Sequence, residues 1–156
     1  MTSEKINGAF TLEIPEGFEI MSREDLRKLY QNENADRWGM WDRERHILIT
    51  VAWQRVNALL SFLADIKSVA KRNEQLIAKG YANNDYKMEG FFSSGTGNLR
   101  MEGYRFSYTL QGIPQKSETL LTKLEKNIYS ITCVRRAENA EECADVFPAV
   151  IASLKT

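Results

Sequence analysis

The sequence predicts a single α+β domain with a mostly antiparallel sheet, and three observations carry that prediction. Two stretches space their apolar residues as amphipathic helices do, and a third, shorter one follows a capping signal. Several runs alternate apolar and polar residues, the period of a half-buried strand. From Tyr86 to Arg136 such runs succeed one another across short turn signals only, which suits hairpins and leaves no room for crossover helices.

The elements follow in order. Ala9–Ile14 alternates Phe10, Leu12 and Ile14 with polar partners and predicts a strand. Pro15-Glu-Gly17 turns the chain, and Phe18–Met21 resumes an extended segment. Ser22-Arg-Glu-Asp25 has the spacing of a capping box with Asp in place of Glu. It predicts a short helix to about Tyr30 that buries Leu26, Leu29 and Tyr30, followed by a polar loop over Gln31–Ala35. Arg37–Trp41 and His46–Arg55 predict a hairpin joined by Asp42-Arg-Glu-Arg45. The near-continuous apolar run of its second strand predicts cover on both faces.

From Asn57, a plausible cap, Leu59, Leu63, Ile66, Ala70, Leu76 and Ile77 recur at helical spacing and predict a long helix. Gly80 stands where a left-handed terminal residue is wanted, and Asn83-Asn-Asp85 forms the next loop. Four strands are then expected: Tyr86–Ser94, Leu99–Gln111, Gln115–Glu125 and Ile128–Arg136. Their turns are Gly95-Thr-Gly97, Gly112-Ile-Pro114 and Lys126-Asn127. Asn139 with Glu142 caps a final helix whose stripe is Ala140, Cys143, Ala144, Phe147, Val150, Ile151 and Leu154. Pro148 lies inside it and predicts a kink or restart near Phe147, because proline removes a helical N–H. The two longer helices must bury their stripes on the sheet, with the short helix covering part of the opposite side.

The 156 residues fit one domain, residues 1–156, with no linker or repeat. Lys plus Arg number 21, as do Asp plus Glu. The balance holds locally, with 12 of each up to Gly80 and 9 of each beyond. Nucleic-acid binders concentrate cations to neutralise phosphates, so no nucleic-acid partner is expected. The N-terminus lacks the basic start and the apolar run of about 7–15 residues of a signal peptide. No stretch reaches the roughly 20 apolar residues of a membrane span. A cytoplasmic location and reduced Cys133 and Cys143, as small core residues, are therefore expected.

Reactive constellations are sparse. His46 is the single histidine, and with two unpaired cysteines it makes no zinc set. Gly95-Thr-Gly97 resembles half a phosphate loop, but Arg100 stands at the third glycine position and a strand follows, so it reads as a hairpin turn. Glu24-Asp25 and Glu141-Glu142 sit in first helical turns, where negative charge complements the macrodipole. Lys67, Lys71, Arg72 and Lys79 read as a solvated helix face, and Tyr104, Phe106 and Tyr108 as a core row on one strand face. No catalytic residue, cofactor or metal is expected. The candidate interaction surface is the first hairpin, where Arg37, Trp38, Trp41, Arg43, Arg45 and His46 lie within ten residues. Trp and Arg are enriched at binding hot spots, although tryptophan serves equally as a core residue.

The opening F-T-L-E-I-P-E-G-F-E (Phe10–Glu19) and the closing V-F-P-A-V-I-A-S-L-K (Val146–Lys155), with long strands before that last helix, resemble the PsbP-like superfamily. That superfamily includes the photosystem II extrinsic subunit P, a Ran-binding nuclear-import factor and many bacterial proteins of unknown function. The resemblance spans almost the whole chain in order, and no motif in it carries chemistry. It implies an α/β/α sandwich around an antiparallel sheet, of the bacterial type, with binding or assembly work and no catalysis. A non-enzymatic protein-interaction module is the expected function. The alternative is a small-ligand or lipid carrier with a pocket between sheet and long helix. The partner is expected to be a protein, and an exposed sheet edge leaves a homodimer open.

Overall fold

A computed structural model of the chain describes residues 2–30, 36–56 and 65–156. In chain order the elements are β1 (Thr2–Ile6), β2 (Phe10–Ile14), β3 (Glu19–Ile20), α1 (Arg23–Tyr30), β4 (Arg37–Asp42) and β5 (Ile47–Arg55). They continue with α2 (Ile66–Gly80), β6 (Lys87–Thr96), β7 (Leu99–Leu110), β8 (Ile113–Leu124), β9 (Asn127–Arg136), a 3-10 turn (Ala137–Asn139) and α3 (Val146–Ala152). The fold class is α+β with antiparallel sheets, as the sequence predicts. Seven strands form one sheet in the order β3-β4-β5-β9-β8-β7-β6, and β1 and β2 form a separate hairpin.

The strand order of this open sheet doubles back in sequence. After β5 the chain crosses by α2 to the far edge, and β6 to β9 then step back until β9 pairs with β5. Partners across an antiparallel ladder share a face. Ile49, Cys133 and Glu118 therefore stand on one side of the sheet, and Thr50, Thr132 and Thr119 on the other. The first face packs under the β1–β2 hairpin and α3, through Phe10, Leu12, Phe147, Val150 and Ile151. The second packs under α2, through Ala70 and the partly buried Ile66, Val69 and Ile77, against Tyr104, Phe106 and Leu121.

Several expectations change. α2 and α3 lie on opposite faces, and α3, at seven residues, is no longer than the eight of α1. α1 shares the face of α2: Leu26 lies 3.2 Å from where a Cβ on Gly39 would sit, on the Thr50 side. The hairpin takes the place of a helix beside α3. β1, which the alternation did not reveal, exists because Asn7 and Gly8 both adopt positive φ (51° and 67°), the turn that fits strand twist. The C-terminus ties to β2 by a mutual pair of bonds between Thr11 and Lys155.

The capping box of α1 forms as predicted. Ser22 N–H donates to Asp25 Oδ2 and Asp25 N–H to Ser22 Oγ, each at 3.1 Å. The described part of the long helix starts at Ile66 behind an Asp65 cap, whose Oδ1 accepts from Lys67 N–H at 3.3 Å. Asn57, Leu59 and Leu63 lie outside the described residues, as does the Gln31–Ala35 loop and the Tyr30 side chain. Leu76 is 64% exposed because it falls off the Ile66-Ala70-Ile77 stripe. Gly80 is the last helical residue without a left-handed φ, and Tyr81 N–H closes the turn onto Ile77. Ile113 and Pro114 are strand residues, since the turn is made by Gln111 and Gly112. Asn139 does not start an α-helix, and Ala144 is exposed. The helix restarts at Val146, where Pro148 falls in the first turn and its missing N–H costs no hydrogen bond.

Candidate functional site

Strand alternation divides the predicted hairpin surface in two. Arg37 pairs with Ala52 and Trp41 with Leu48, on the α2 side of the sheet; Trp38 pairs with Val51, on the other. Trp38 packs against the core under α3, where its Nε1 is buried without a hydrogen-bond partner. Arg45 also leaves the group. Its Nε donates to Asp42 Oδ2 at 2.6 Å, and its guanidinium reaches toward the Phe18 ring and Glu16 carbonyl. His46 takes φ 57° as the last residue of the turn, so the strand begins one residue later than predicted.

Arg37, Trp41, Arg43 and His46 remain together, on the wall of a half-open cavity of about 760 Å³. The cavity lies between the sheet and α2, with Leu29 of α1 at one end and Tyr81 after α2 at the other. Leu29 is 44% exposed, contrary to expectation, because it borders this space. Arg43 stacks its guanidinium 4.4 Å from the Trp41 ring centre, an arrangement that holds both side chains at the mouth.

The floor explains why the space is there. Thr50, Ser130, Thr132, Thr119 and Ser117 occupy adjacent places on β5, β9 and β8. These side chains are short, so the middle of the sheet does not reach up to α2. Thr119 and Thr132 hydroxyls bond one another at 3.0 Å. Ser117 is 2% exposed, and its Oγ has no partner. One wall is an aromatic row: Tyr81 stacks on Tyr108 at 4.4 Å, and Tyr108, Phe106 and Tyr104 follow at 5.7 and 5.6 Å. The predicted core row is thus also a cavity wall. Tyr104 hydroxyl donates to Asn73 Oδ1 of α2, and Tyr86 to Glu74 at 2.8 Å. Burial pushes both phenols far above their ordinary range, with Glu74 adding to the effect at each.

The floor residues escaped the sequence reading. Their signal is Gln115, Ser117 and Thr119 alternating on β8 while Ser130 and Thr132 do so on β9. Small polar residues at every second position are ordinary on a wet face. Only the pairing of these two strands under a helix makes them a floor.

Several further titratable groups are held by structural bonds or burial. Burial pushes the Cys133 thiol up to about 12. Asp25 is lowered by the Ser22 backbone and hydroxyl bonds of the cap. Glu102 is lowered by the Ser93 hydroxyl, which burial opposes and Arg100 assists. For Asp42, burial raises the pKa, and the Arg45 N–H, Arg45 side chain and Glu44 N–H together overcome it. A carboxylate with a depressed folded pKa stabilises the fold above its unfolded value near 3.9, and the effect fades as pH falls through the folded value. Asp42→Asn is therefore expected to lose about 2 kcal/mol near neutral pH, the scale of hydrogen bonds to a charged group. In urea unfolding the gap to wild type should close below about pH 4; a gap independent of pH would contradict this account.

Among the described residues no cluster of three or more His, Cys, Asp or Glu could hold a metal, and no helix is long and apolar enough to cross a membrane.

An open antiparallel sheet with a helix and hairpin on one face and a helix-roofed cavity on the other is the class that fold and site define. Its particular form is PsbP-like. Cyanobacterial PsbP (CyanoP) from Synechocystis sp. PCC 6803 superposes with TM-score 0.74 at 8% identity, over 99% of this chain and 91% of that one. LpqN of Mycobacterium tuberculosis, described as involved in cell envelope biogenesis, gives 0.62 at 10% identity over 94% and 82%. A Pseudomonas aeruginosa protein of unknown function gives 0.56 at 10% identity over 100% and 96%. At these identities the likeness is one of fold. No protein-family model and no curated protein matches the sequence.

Proposed function

We propose that this protein is a non-enzymatic, cytoplasmic interaction module that engages a partner protein at the cavity between the sheet and α2. The cavity itself carries the reading: it is half open, and its mouth holds the stacked Trp41–Arg43 pair. Trp and Arg dominate binding hot spots because each combines large contact area with directed polar groups. The non-enzymatic part is supported by where the shifted carboxylates sit. Asp25, Asp42 and Glu102 are lowered by cap, turn and ladder bonds, and none is raised toward the range a general acid needs.

The test is affinity capture from the native host with three proteins: wild type, Trp41→Ala, and Thr132→Trp to fill the floor. The expected result is a set of partners lost from both variants while their thermal unfolding midpoints stay close to wild type. Recovery of the same set by all three would remove the cavity as the binding surface.

A small-ligand carrier is the second reading, favoured by the volume. About 760 Å³ lies within the roughly 300–1,000 Å³ of small-molecule sites. Native mass spectrometry of protein purified from its host would show a bound mass, absent from Thr132→Trp, if the cavity carries one.

A further inference from the structure

The seven-stranded sheet ends differently at its two edges. β3 at one edge has two residues, whereas β6 at the other has ten and is hydrogen-bonded in the strand order to β7 alone. An edge strand offers a row of unpaired N–H and C=O groups, and proteins blunt such edges with charges, proline or bulges. β6 does so only in its first part. Lys87 and Glu89 are charged, Glu89 is held by Lys116 at 2.6 Å, and a bulge interrupts the ladder between Met88 and Gly90. From Phe91 to Thr96 the sequence F-F-S-S-G-T has no charge and no proline, and its register with β7 is unbroken. Phe91, Ser93, Ser94 and Gly95 are exposed, and Phe91 keeps 48% of its surface open to water.

The turn fixes which of these residues point outward. Gly97, with φ 57°, and Asn98 join β6 to β7, so the flanking Thr96–Leu99 pair is hydrogen-bonded, and along an antiparallel ladder such pairs alternate with open ones. The open pairs are Gly95–Arg100, Ser93–Glu102 and Phe91–Tyr104. Gly95, Ser93 and Phe91 therefore turn their backbone N–H and C=O away from β7. We propose that a second copy of this chain pairs antiparallel along this edge, with the two-fold axis at Ser93. Ser93 then faces the partner's Ser93, and Phe91 faces the partner's Gly95, which has no side chain to obstruct the ring. This register joins all three outward residues to outward residues, for about six main-chain hydrogen bonds. The stretch suits a second copy because its ends are symmetric: Gly90 at the bulge and Thr96 at the turn each lie three residues from Ser93. Lys87 and Glu89 fall beyond the paired stretch, so no like charges meet. Pairing along one strand buries less than the roughly 1,200 Å² of a standard interface, which sets a weak dimer that dissociates in the micromolar range. None of the described cavity-lining residues is on β6, so the dimer leaves the cavity open and does not depend on the interaction reading above.

Sedimentation equilibrium of the full chain from ~1 to ~500 µM tests the dimer, and cysteine cross-linking tests its register. The mass is expected to rise from one chain toward two across that range. Phe91→Lys sets a charge on the edge and should weaken the dimer at least about tenfold, with an unfolding midpoint at low concentration close to wild type. Ser93→Cys, oxidised after purification, should give a disulfide-linked dimer, because facing Cα atoms of a hydrogen-bonded pair lie about 5.5 Å apart, within disulfide reach. Lys87→Cys, beyond the paired stretch, should not. The cross-linking comparison stands by itself if Phe91→Lys unfolds. A single-chain mass at every concentration would overturn the proposal. A folded Phe91→Lys variant that dimerises as well as wild type, or Ser93→Cys that links no faster than Lys87→Cys, would place the contact elsewhere and overturn it too.

Discussion

Gly103→Ala is expected to destabilise the fold by about 4 kcal/mol, enough to leave a domain of ordinary stability largely unfolded. Gly103 lies in the middle of β7, between β6 and β8. A Cβ there would overlap the Thr119 carbonyl oxygen and approach Thr119 C and Leu120 Cα to 2.9 and 3.0 Å. All three are backbone atoms of β8, so no rotamer change relieves the clash. The strands must separate, which breaks ladder bonds and displaces Thr119, a floor residue of the cavity. Gly80→Ala is the matched control. Its Cβ meets nothing within 4 Å in the last turn of α2, and it should stabilise by a few tenths to about 1 kcal/mol. Urea unfolding of the pair measures both. A Gly103→Ala midpoint near wild type would show that β7 and β8 do not approach this closely.

The second large effect is expected from Glu118→Ala, about 3 kcal/mol. Glu118 is buried on the α3 side of the sheet, 3.1 Å from Arg135 Nη1 and 3.6 Å from Arg105 Nε. The two arginines differ in what truncation leaves. Arg105 is half-exposed and stacks 3.8 Å from the Phe92 ring centre, so water and the ring still receive it. Arg135 is only 11% exposed, and apart from Glu118 its Nε donates to the Ala140 carbonyl at 3.3 Å. An unpaired buried guanidinium is the costly product. Replacing both members, Glu118→Leu with Arg135→Leu, should recover most of the loss, because neither charge is then stranded. A single variant within about 1 kcal/mol of wild type, or a double variant worse than the single, would contradict this.

Where signals were local, the sequence carried them. The Ser22–Asp25 cap, the four-strand run after Tyr86 and the helix restart just before Pro148 each depend on residues a few positions apart. The β1–β2 turn was equally local, at Asn7-Gly8, but Thr2–Ile6 has no alternation and gains its place only when Ile6 reaches the core. Leu29 and Leu76 went wrong for a common reason. Spacing marks a residue as able to be buried, and burial also needs something packed above it. The hairpin cluster divided because neighbours on a strand point to opposite faces: Trp41 went to the cavity and Trp38 to the core.

The amino-acid order by itself determined most of the elements and their antiparallel succession, since periodicity, caps and turn residues act over a few positions. Tertiary structure alone decided that β9 returns beside β5, setting Thr50, Ser130, Thr132, Thr119 and Ser117 side by side beneath α2. Those residues lie up to 82 positions apart, and whether short side chains leave a hollow depends on what long-range packing brings over them.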